Sequence, residues 1–166
     1  MKALVSRSKS PLSIHIESAG TGGYHDGKLP DSRMRSAAKK RGYQLDSRAQ
    51  TIGPADFQKF DRIIAMDRDN VQAILRVGTP IPGQLRLLSD YFKSDCLKDA
   101  GFKDTGFKDT GFKDAQLKNS GLADEWPTDV PDPYYGGDDG FEYVLDMIEA
   151  ACPKILEEIQ QESSTL

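Results

Sequence analysis

The strongest constraint on the fold is an amphipathic stripe close to the C-terminus. Its apolar residues recur at spacings of three and four, which places them on one face of a helix. They are Phe141, Val144, Leu145, Ile148, Cys152, Ile155, Leu156 and Ile159. Asp138 and Asp139 stand at the predicted N-terminal end, where negative charge favours a helix, and Pro153 is expected to kink it. Because Cys152 lies on the stripe, we interpret it as a packed core thiol rather than a nucleophile.

Upstream of that helix, short apolar runs alternate with helical patterns. The runs that predict strands are residues 13–17, 62–66 and 85–88. The first of them alternates apolar and polar residues with a period of two, and residues 1–5 are a weaker strand candidate. Strands that alternate with helices predict one α/β domain over residues 1–166, with three αβα layers and a mostly parallel twisted sheet.

Two aspartates mark the starts of the predicted helices between those strands. Asp31 is placed to cap a helix that ends before Gly42, and Asp67 is placed to cap one that runs to about residue 76. Three apolar residues of the second helix are expected to point inward: Val71, Ile74 and Leu75. A short helical turn is predicted near residues 54–57.

Between the last predicted strand and the final helix, residues 93–128 have a different character. A unit that begins Lys-Asp and ends Gly-Phe recurs with a period of five from residue 98, and looser copies extend to residue 122. One interpretation is a pentapeptide-repeat coil, but such repeats need several stacked coils to bury their apolar centres. We therefore favour a long, tandemly expanded surface loop, and we interpret Cys96 on its approach as a free, incidental thiol.

Charge and composition argue against several classes of function. The net charge of −4 gives no electrostatic basis for binding nucleic acid. No apolar run approaches the roughly 18 residues of a membrane span, and the first 13 residues lack the apolar core of a signal peptide. The two cysteines form neither a metal-binding pattern nor a disulfide framework. We expect a cytoplasmic protein, since a reducing compartment suits this cysteine usage.

A proline-rich segment precedes the C-terminal helix. Residues 130–137 read VPDPYYGG, so two prolines flank Asp132, and Tyr134 and Tyr135 follow. Proline excludes a helix interior or a central strand, which indicates a stiff loop. Local chemistry leaves two interpretations open. The favoured one is a proline-rich turn, and the other is a loop that presents Asp132 as a general acid beside aromatic rings.

Four segments in this order together resemble the low-molecular-weight protein-tyrosine phosphatase family. They are residues 16–25 (IESAGTGGYH), 31–35 (DSRMR), 60–67 (FDRIIAMD) and 130–142 (VPDPYYGGDDGFE). The Asp-Pro-Tyr-Tyr-Gly run is a specific marker, and the resemblance covers nearly all of residues 13–158 outside the repeats. Residues 31–38 are most similar to the plant and algal branch. The resemblance implies phosphate-ester hydrolysis through a cysteinyl-phosphate intermediate, without a metal or another cofactor.

The resemblance assigns roles to three residues of the proline-rich loop. Asp132 matches the general acid, which protonates the leaving phenol and later activates water. Tyr134 and Tyr135 match an aromatic pair beside the pocket, which can also accept phosphate from a tyrosine kinase. The expected partners are phosphotyrosine proteins or small aryl phosphates, with no nucleic acid and no membrane.

Three further positions match the family away from that loop. Tyr24 and His25 match residues of the pocket wall that influence substrate choice, and Ser18 matches a serine that hydrogen-bonds the phosphate loop. The phosphate loop, a cysteine and an arginine separated by five residues, has no counterpart, because no cysteine precedes Cys96. Residues 9–11 (KSP) echo its end, but lysine there cannot reproduce the two-pronged grip of arginine on phosphate.

The unmatched loop also bears on the expected sheet. In the family the first strand is interior to a parallel sheet, and parallel neighbours need a crossover of a dozen or more residues. Only residues 6–12 separate the two N-terminal strand candidates. We therefore expect the central N-terminal strand to be short or lost, with an irregular N-terminus over residues 1–12. Apolar surface should then be uncovered on Ile14, Ile16, Ile63 and the C-terminal helix. We expect lowered stability, partial disorder at the N-terminus, or compensation by a partner.

Two functions remain open. The first is a protein-tyrosine phosphatase whose sequence is incomplete here, and the second is a non-catalytic binding or regulatory module on the same fold. In both cases the 166 residues as written are predicted to be inactive, because a general acid without a nucleophile has nothing to protonate. We do not expect Cys96 or Cys152 to substitute, since neither begins a phosphate cradle.

Overall fold

The computed structural model describes residues 1–8, 12–91, 129–135 and 137–164. Its regular elements are α1 (Lys2–Arg7), α2 (Ser32–Lys40), α3 (Asp56–Lys59), β1 (Ile63–Ala65), α4 (Arg68–Val77), β2 (Leu85–Leu87) and α5 (Gly137–Ser163). Short 3-10 turns lie at Gly23–His25, Leu88–Tyr91 and Pro133–Tyr135. The predicted loop insertion at 93–128, with its repeats at 98–122 and with Cys96, lies outside the described residues.

The sheet confirms the parallel α/β class. β1 and β2 pair in parallel, with Ile63 opposite Leu85 and Ala65 opposite Leu87. α4 connects the two strands and packs on both, as the crossover between parallel neighbours requires. Over the described ranges the sheet has these two strands, which is fewer than the three main strands that the sequence predicted.

The predicted strand at residues 13–17 does not join this sheet. Its side chains keep the alternation of a strand, with Ile14 and Ile16 half-buried and Ser13, His15 and Glu17 exposed. No backbone hydrogen bond pairs residues 13–17 with a described neighbour, and the first contact of strand type is an isolated parallel bridge from Gly20 to Thr51. The prediction of a regular strand was wrong, because a period of two indicates two faces but not a hydrogen-bonded neighbour.

The N-terminus is helical. α1 replaces the weak strand candidate at residues 1–5, so that prediction was wrong, and Lys2–Arg7 is helical where an irregular segment was expected. The segment contains lysine, alanine, leucine and arginine, which are strong helix formers. α1 packs against α5, and Met1 contacts the larger of the two apolar clusters described below. These tertiary contacts stabilise a helix that is too short to be stable alone.

Both predicted aspartate caps are confirmed. The Asp31 carboxylate accepts a hydrogen bond from the Arg33 backbone N–H at 2.8 Å, and the Asp67 carboxylate accepts one from the Asn70 N–H at 2.6 Å. Just after α2, Gly42 has φ of +80°, a left-handed conformation that glycine adopts without strain. The two caps fix where α2 and α4 begin, which in turn fixes the loops that precede them.

The inward face of α4 is narrower than predicted. Ile74 is buried and Val71 is half-buried, as expected, but 48% of Leu75 is exposed. Neighbouring helix positions differ by about 100° around the axis, so a helix that covers a sheet of two strands cannot bury both Ile74 and Leu75. The inward assignment of Leu75 was therefore wrong.

α5 organises two apolar clusters. In the larger one, the buried α5 residues Val144, Met147, Ala151 and Ile155 pack with Leu88, Tyr91 and Val130. In the smaller one, Phe141 and Leu145 of α5 pack with Ala37 and Ala38 of α2. Because α5 contributes buried residues to both clusters, its buried face is wider than a single stripe of residues.

Most of the predicted stripe is confirmed. Six of its eight residues are buried, and Ile148 and Ile159 are half-buried at its edge. Met147 is 1% exposed although it was not assigned to the stripe. Cys152 is 8% exposed, which confirms its interpretation as a core thiol.

An ionic contact docks the end of α2 on α5. The Arg41 guanidinium bonds the carboxylates of Glu142 at 2.5 Å, Asp146 at 2.6 Å and Glu149 at 2.8 Å. Burial opposes the charge of Arg41, but the hydrogen bonds from Asp146, Glu142 and Glu149 outweigh it and hold its pKa above the ordinary value. This contact and the smaller apolar cluster place α2 beside the start of α5, next to the proline-rich loop.

Candidate active site

The proline-rich loop begins at the carboxyl end of β1. The N–H of Val130 donates to the carbonyl of Met66, the residue that follows β1, at 2.9 Å. The Asp129 carboxylate accepts from the backbone N–H of Arg68 at 2.9 Å and from its Nε at 3.0 Å. The loop is therefore attached to the turn between β1 and α4, the edge of a parallel sheet where ligands commonly bind.

At the other end, the loop is tied to the start of α5. The 3-10 turn at Pro133–Tyr135 packs against that helix. A Cβ on Gly140 would lie 3.5 Å from the carbonyl oxygen of Pro133, an ordinary van der Waals contact, so the start of α5 packs directly on the loop backbone here. Together with the β1 contact, this packing holds the loop on both sides of Asp132.

Asp132 is exposed, and one of its oxygens organises the turn that follows. Oδ1 accepts a hydrogen bond from the Tyr134 backbone N–H at 2.9 Å, which is the Asx-turn geometry expected of aspartate before a turn. The carboxylate is therefore oriented by the backbone while the side chain stays open to solvent. This arrangement can present a proton donor or acceptor to a ligand at the surface.

Arg33 lies beside this loop. Its guanidinium lies 5.1 Å from the centroid of the exposed Tyr134 ring and 4.7 Å from that of the buried Phe141 ring, both within cation–π range. Nη1 donates to the Tyr134 carbonyl at 3.4 Å. Nε and Nη2 donate to the two carboxylate oxygens of Asp31, at 3.1 and 2.9 Å. The hydrogen bonds that Asp31 accepts from the side chain and the backbone of Arg33 lower the pKa of Asp31 to about 2.

A cavity of about 320 Å³ opens beside Arg33 between α2 and α5. Its lining residues are Ser32, Arg33, Ser36, Ala37, Lys40, Asp139, Phe141 and Glu142. It carries both signs of charge, so its electrostatics favour neither an anion nor a cation.

The second group of predicted site residues lies on the loop at residues 18–25. Ser18 is exposed, and Tyr24 and His25 are exposed in the 3-10 turn at Gly23–His25, with Tyr24 at 90%. Backbone hydrogen bonds hold the loop against the segment near residue 51, from the Gly20 N–H to the Gln50 carbonyl at 2.8 Å and from the Ile52 N–H to the Gly20 carbonyl at 3.0 Å. A cleft of about 200 Å³ beside Ser18 is lined by small residues of this loop and its neighbours.

The structure brings part of the predicted site together. Asp132 and Tyr134 share one hydrogen-bonded turn, and the backbone of Tyr135 completes it. Neither Tyr24 nor His25 makes a hydrogen bond, ion pair or ring contact with that turn in the part of the chain that is described. No such contact therefore joins the two groups directly within the described residues.

Arg33 is the residue of this site that the sequence did not single out. It was read only as part of the DSRMR segment at residues 31–35. An arginine two positions after a helix cap is a weak signal, and its contact to Tyr134 spans 101 positions of the chain. No local pattern predicts such a contact.

Other chemistries find few groups in the described residues. Cys152, the one thiol among them, is buried in α5. Within the described ranges, no set of three or more His, Cys, Asp or Glu side chains is placed to hold a metal ion. No helix in those ranges combines the length and the apolar character needed to cross a membrane.

Comparison with known proteins gives one consistent family. The sequence profile described as "Low molecular weight phosphotyrosine protein phosphatase" matches residues 3–113 and 119–165. The chain is 35% identical over 166 residues to a putative low molecular weight protein-tyrosine-phosphatase of Synechocystis sp., covering 98% of this chain and 85% of the relative. It is 33% identical over 151 residues to the low molecular weight protein-tyrosine-phosphatase YfkJ of Bacillus subtilis, covering 90% and 76%.

A solved structure is similar to the whole described fold. The crystal structure of a protein tyrosine phosphatase from Entamoeba histolytica, with Hepes in its active site, has a TM-score of 0.62 and 34% identity to this chain. The match covers 89% of this chain and 75% of that one. Sequence profile, relatives and fold agree, and the chain belongs to the low molecular weight phosphotyrosine protein phosphatase family.

Proposed function

We propose that Asp132 is the general acid of this protein-tyrosine phosphatase fold, acting on phosphotyrosine and related aryl phosphate esters. In a form that carries the nucleophilic cysteine, the thiolate would take the phosphoryl group as the P–O bond breaks, and the protonated carboxyl of Asp132 would give its proton to the leaving phenol oxygen. The carboxylate would then take a proton from the water that attacks the cysteinyl phosphate and releases inorganic phosphate and the thiolate. The observation that supports this role is an exposed carboxylate whose Oδ1 is oriented by the Tyr134 N–H, on a loop attached to β1 and to α5.

We also propose that a polypeptide of these 166 residues does not hydrolyse phosphate esters. The reaction needs a thiolate beside an arginine that holds the phosphate, and no cysteine of the sequence is followed by arginine six positions later. Burial of Cys152 in the core removes it as a substitute. No observation favours the non-catalytic module over the phosphatase, so that alternative is left to the experiment.

Hydrolysis of an aryl phosphate by the purified chain tests the second proposal. We expect release of the phenol at the rate of the buffer alone, for the parent chain and for Asp132→Asn. Turnover that Asp132→Asn abolishes and Cys152→Ser leaves intact would overturn the prediction of inactivity while supporting the role of Asp132. In that case Cys96→Ser would show whether Cys96 is the nucleophile.

Native protein tests the role of Asp132 directly. The intact mass and the N-terminal peptide show whether the native form carries a Cys-x5-Arg segment. In a form that does, Asp132→Asn should lower kcat by a factor of about 10² to 10⁴, the usual range for a lost general acid. Asp46→Asn, an exposed carboxylate on a different loop, is the matched control and should leave kcat unchanged.

Two finer assignments are also proposals. Tyr134 is 59% exposed and follows the turn at Asp132, so a tyrosine kinase could reach its hydroxyl. Phosphorylation by a broad-specificity tyrosine kinase, mapped by mass spectrometry with Tyr134→Phe and Tyr135→Phe as controls, tests this partner. We also propose residence in the cytoplasm, which cell fractionation tests.

A further inference from the structure

We propose that Arg33 is a positioning residue of this phosphatase, which fixes Asp132 through the ring and the backbone of Tyr134. The proposal rests on the proposed role of Asp132 as the acid. Arg33 contacts three elements: the cap of α2, the turn after Asp132, and the first turns of α5 through Phe141. None of the residues predicted from the sequence makes this connection.

The path from Arg33 to the carboxylate has two hydrogen bonds. Tyr134 donates its N–H to Asp132 Oδ1 at 2.9 Å, and its carbonyl accepts from Arg33 Nη1 at 3.4 Å. One residue therefore links the guanidinium and the carboxylate, and its ring lies under the same guanidinium. If Arg33 releases Tyr134, the N–H that orients Oδ1 is released with it.

The guanidinium is itself firmly held. Asp31 accepts two parallel hydrogen bonds from it, the fork geometry that gives arginine pairs their directional strength. The rings of Tyr134 and Phe141, both within cation–π range of the guanidinium, add to its attachment. Hydrogen bonds from Arg33 lower the pKa of Asp31 to about 2, so this carboxylate stays ionised and available to Arg33 above that pH.

Arginine and lysine should differ at this position. A lysine keeps the positive charge over a ring, but its ammonium cannot form the two-pronged contact with Asp31 and reach the Tyr134 carbonyl as well. A role in charge alone predicts that Arg33→Lys behaves as the parent chain. A role in positioning predicts that it behaves more like Arg33→Ala.

NMR of the full 166-residue chain tests the proposal. The backbone amide of Tyr134 reports its hydrogen bond to Asp132, through its chemical shift, its exchange with water and its response to titration of the carboxyl. In Arg33→Ala we expect exchange to rise about fivefold or more and the response to titration to fall by at least half. Arg33→Lys should restore less than half of either effect.

Arg35→Ala is the matched control, because it removes the same charge two positions along α2. Arg35 bonds the Pro30 carbonyl at 3.2 Å and has no contact with Tyr134 in the described structure. In Arg35→Ala, the Tyr134 amide should exchange with water at a rate within twofold of that in the parent chain. A thermal melt of each variant separates local release of the turn from loss of the fold.

An unchanged Tyr134 amide in a folded Arg33→Ala would overturn the proposal, and so would equal changes in Arg33→Ala and Arg35→Ala. Full restoration by Arg33→Lys would also overturn it, in favour of charge alone. No phosphate ester enters this experiment, so its failure is distinct from failure of Asp132 as the acid. That role is decided by kcat of Asp132→Asn in native protein.

Discussion

Helix α5 and the extended segment at residues 13–17 both carry periodic apolar patterns, but they reach different degrees of burial. Met147 and Ala151 of α5 are 1% and 0% exposed, whereas Ile14 and Ile16 are only half-buried. A helix satisfies its own backbone hydrogen bonds and needs only an apolar surface to cover its face. A strand needs a hydrogen-bonded neighbour as well, so its pattern alone does not determine its structure.

The largest expected difference between the two regions comes from truncating one side chain in each. Met147→Ala removes a fully buried side chain from the larger cluster and should lower the free energy of unfolding by about 2–5 kcal/mol. Ile16→Ala, in the extended segment, should cost less than half as much, because Ile16 is already in contact with water. Urea denaturation of both variants measures the difference. Equal losses would show that Ile16 is buried in solution, and would remove the contrast.

The second prediction concerns the charges that dock α2 on α5. Arg41→Met leaves three carboxylates, Glu142, Asp146 and Glu149, facing one another without their cation. They remain more than one third exposed, so water can solvate them, and we expect a loss of about 1–2 kcal/mol. The control is Arg48→Met, which removes one exposed hydrogen bond to Gly27 and should change stability by less than about 0.5 kcal/mol. If the two variants have the same melting temperature, apolar packing alone holds α2 on α5.

Local chemistry explains what the sequence predicted well. Asp31 and Asp67 were identified as caps because an aspartate and the N–H groups two or three positions later form one short motif. The helix stripe, the strands at 62–66 and 85–88 and the family segments were readable for the same reason. Asp132 and Tyr134 share a loop in sequence and in structure, so their grouping was also predictable.

Contacts between residues far apart in the chain explain what the sequence did not predict. The burial of Met147 depends on Leu88 and Val130, and the role given to Arg33 depends on Tyr134, all far away along the chain. α1 was misread because its contact with α5 joins the two ends of the sequence. The likeness of residues 31–38 to plant and algal proteins, and the interpretation of the repeat segment as a surface loop, stay predictions.

The third prediction uses pH to isolate the ionic contact of the extended segment. Glu17 accepts hydrogen bonds from Lys59 at 2.8 Å, His15 at 2.7 Å and Gln50 at 3.1 Å. Lys59 contributes most to lowering the pKa of Glu17, from 4.5 to about 2. A carboxyl whose pKa is lowered by folding stabilises the protein above its unfolded value, and this stability is lost as pH falls from about 4.5 towards 2.

Thermal melts of Glu17→Gln across that range should therefore show a flatter dependence of Tm on pH than the parent chain. Lys59→Gln should flatten it in the same way, since it removes the largest cause of the shift. Lys39→Gln removes the same charge from the exposed end of α2 and is the control. An unchanged slope in Glu17→Gln would show that this segment is not held by its carboxylate.

The smallest expected effect comes from proline in the extended segment. The Ser13 side chain is exposed, and its N–H makes no backbone hydrogen bond to a described residue, so Ser13→Pro should change the free energy of unfolding by less than about 1 kcal/mol in either direction. Ile63→Pro is the comparison, because the Ile63 N–H donates to the Gln84 carbonyl at 2.8 Å in β1 and proline would remove that bond. A large loss in Ser13→Pro would mean that the segment is paired in solution. Dependence of its melt on protein concentration would then identify a second copy of the chain as the neighbour that a strand requires.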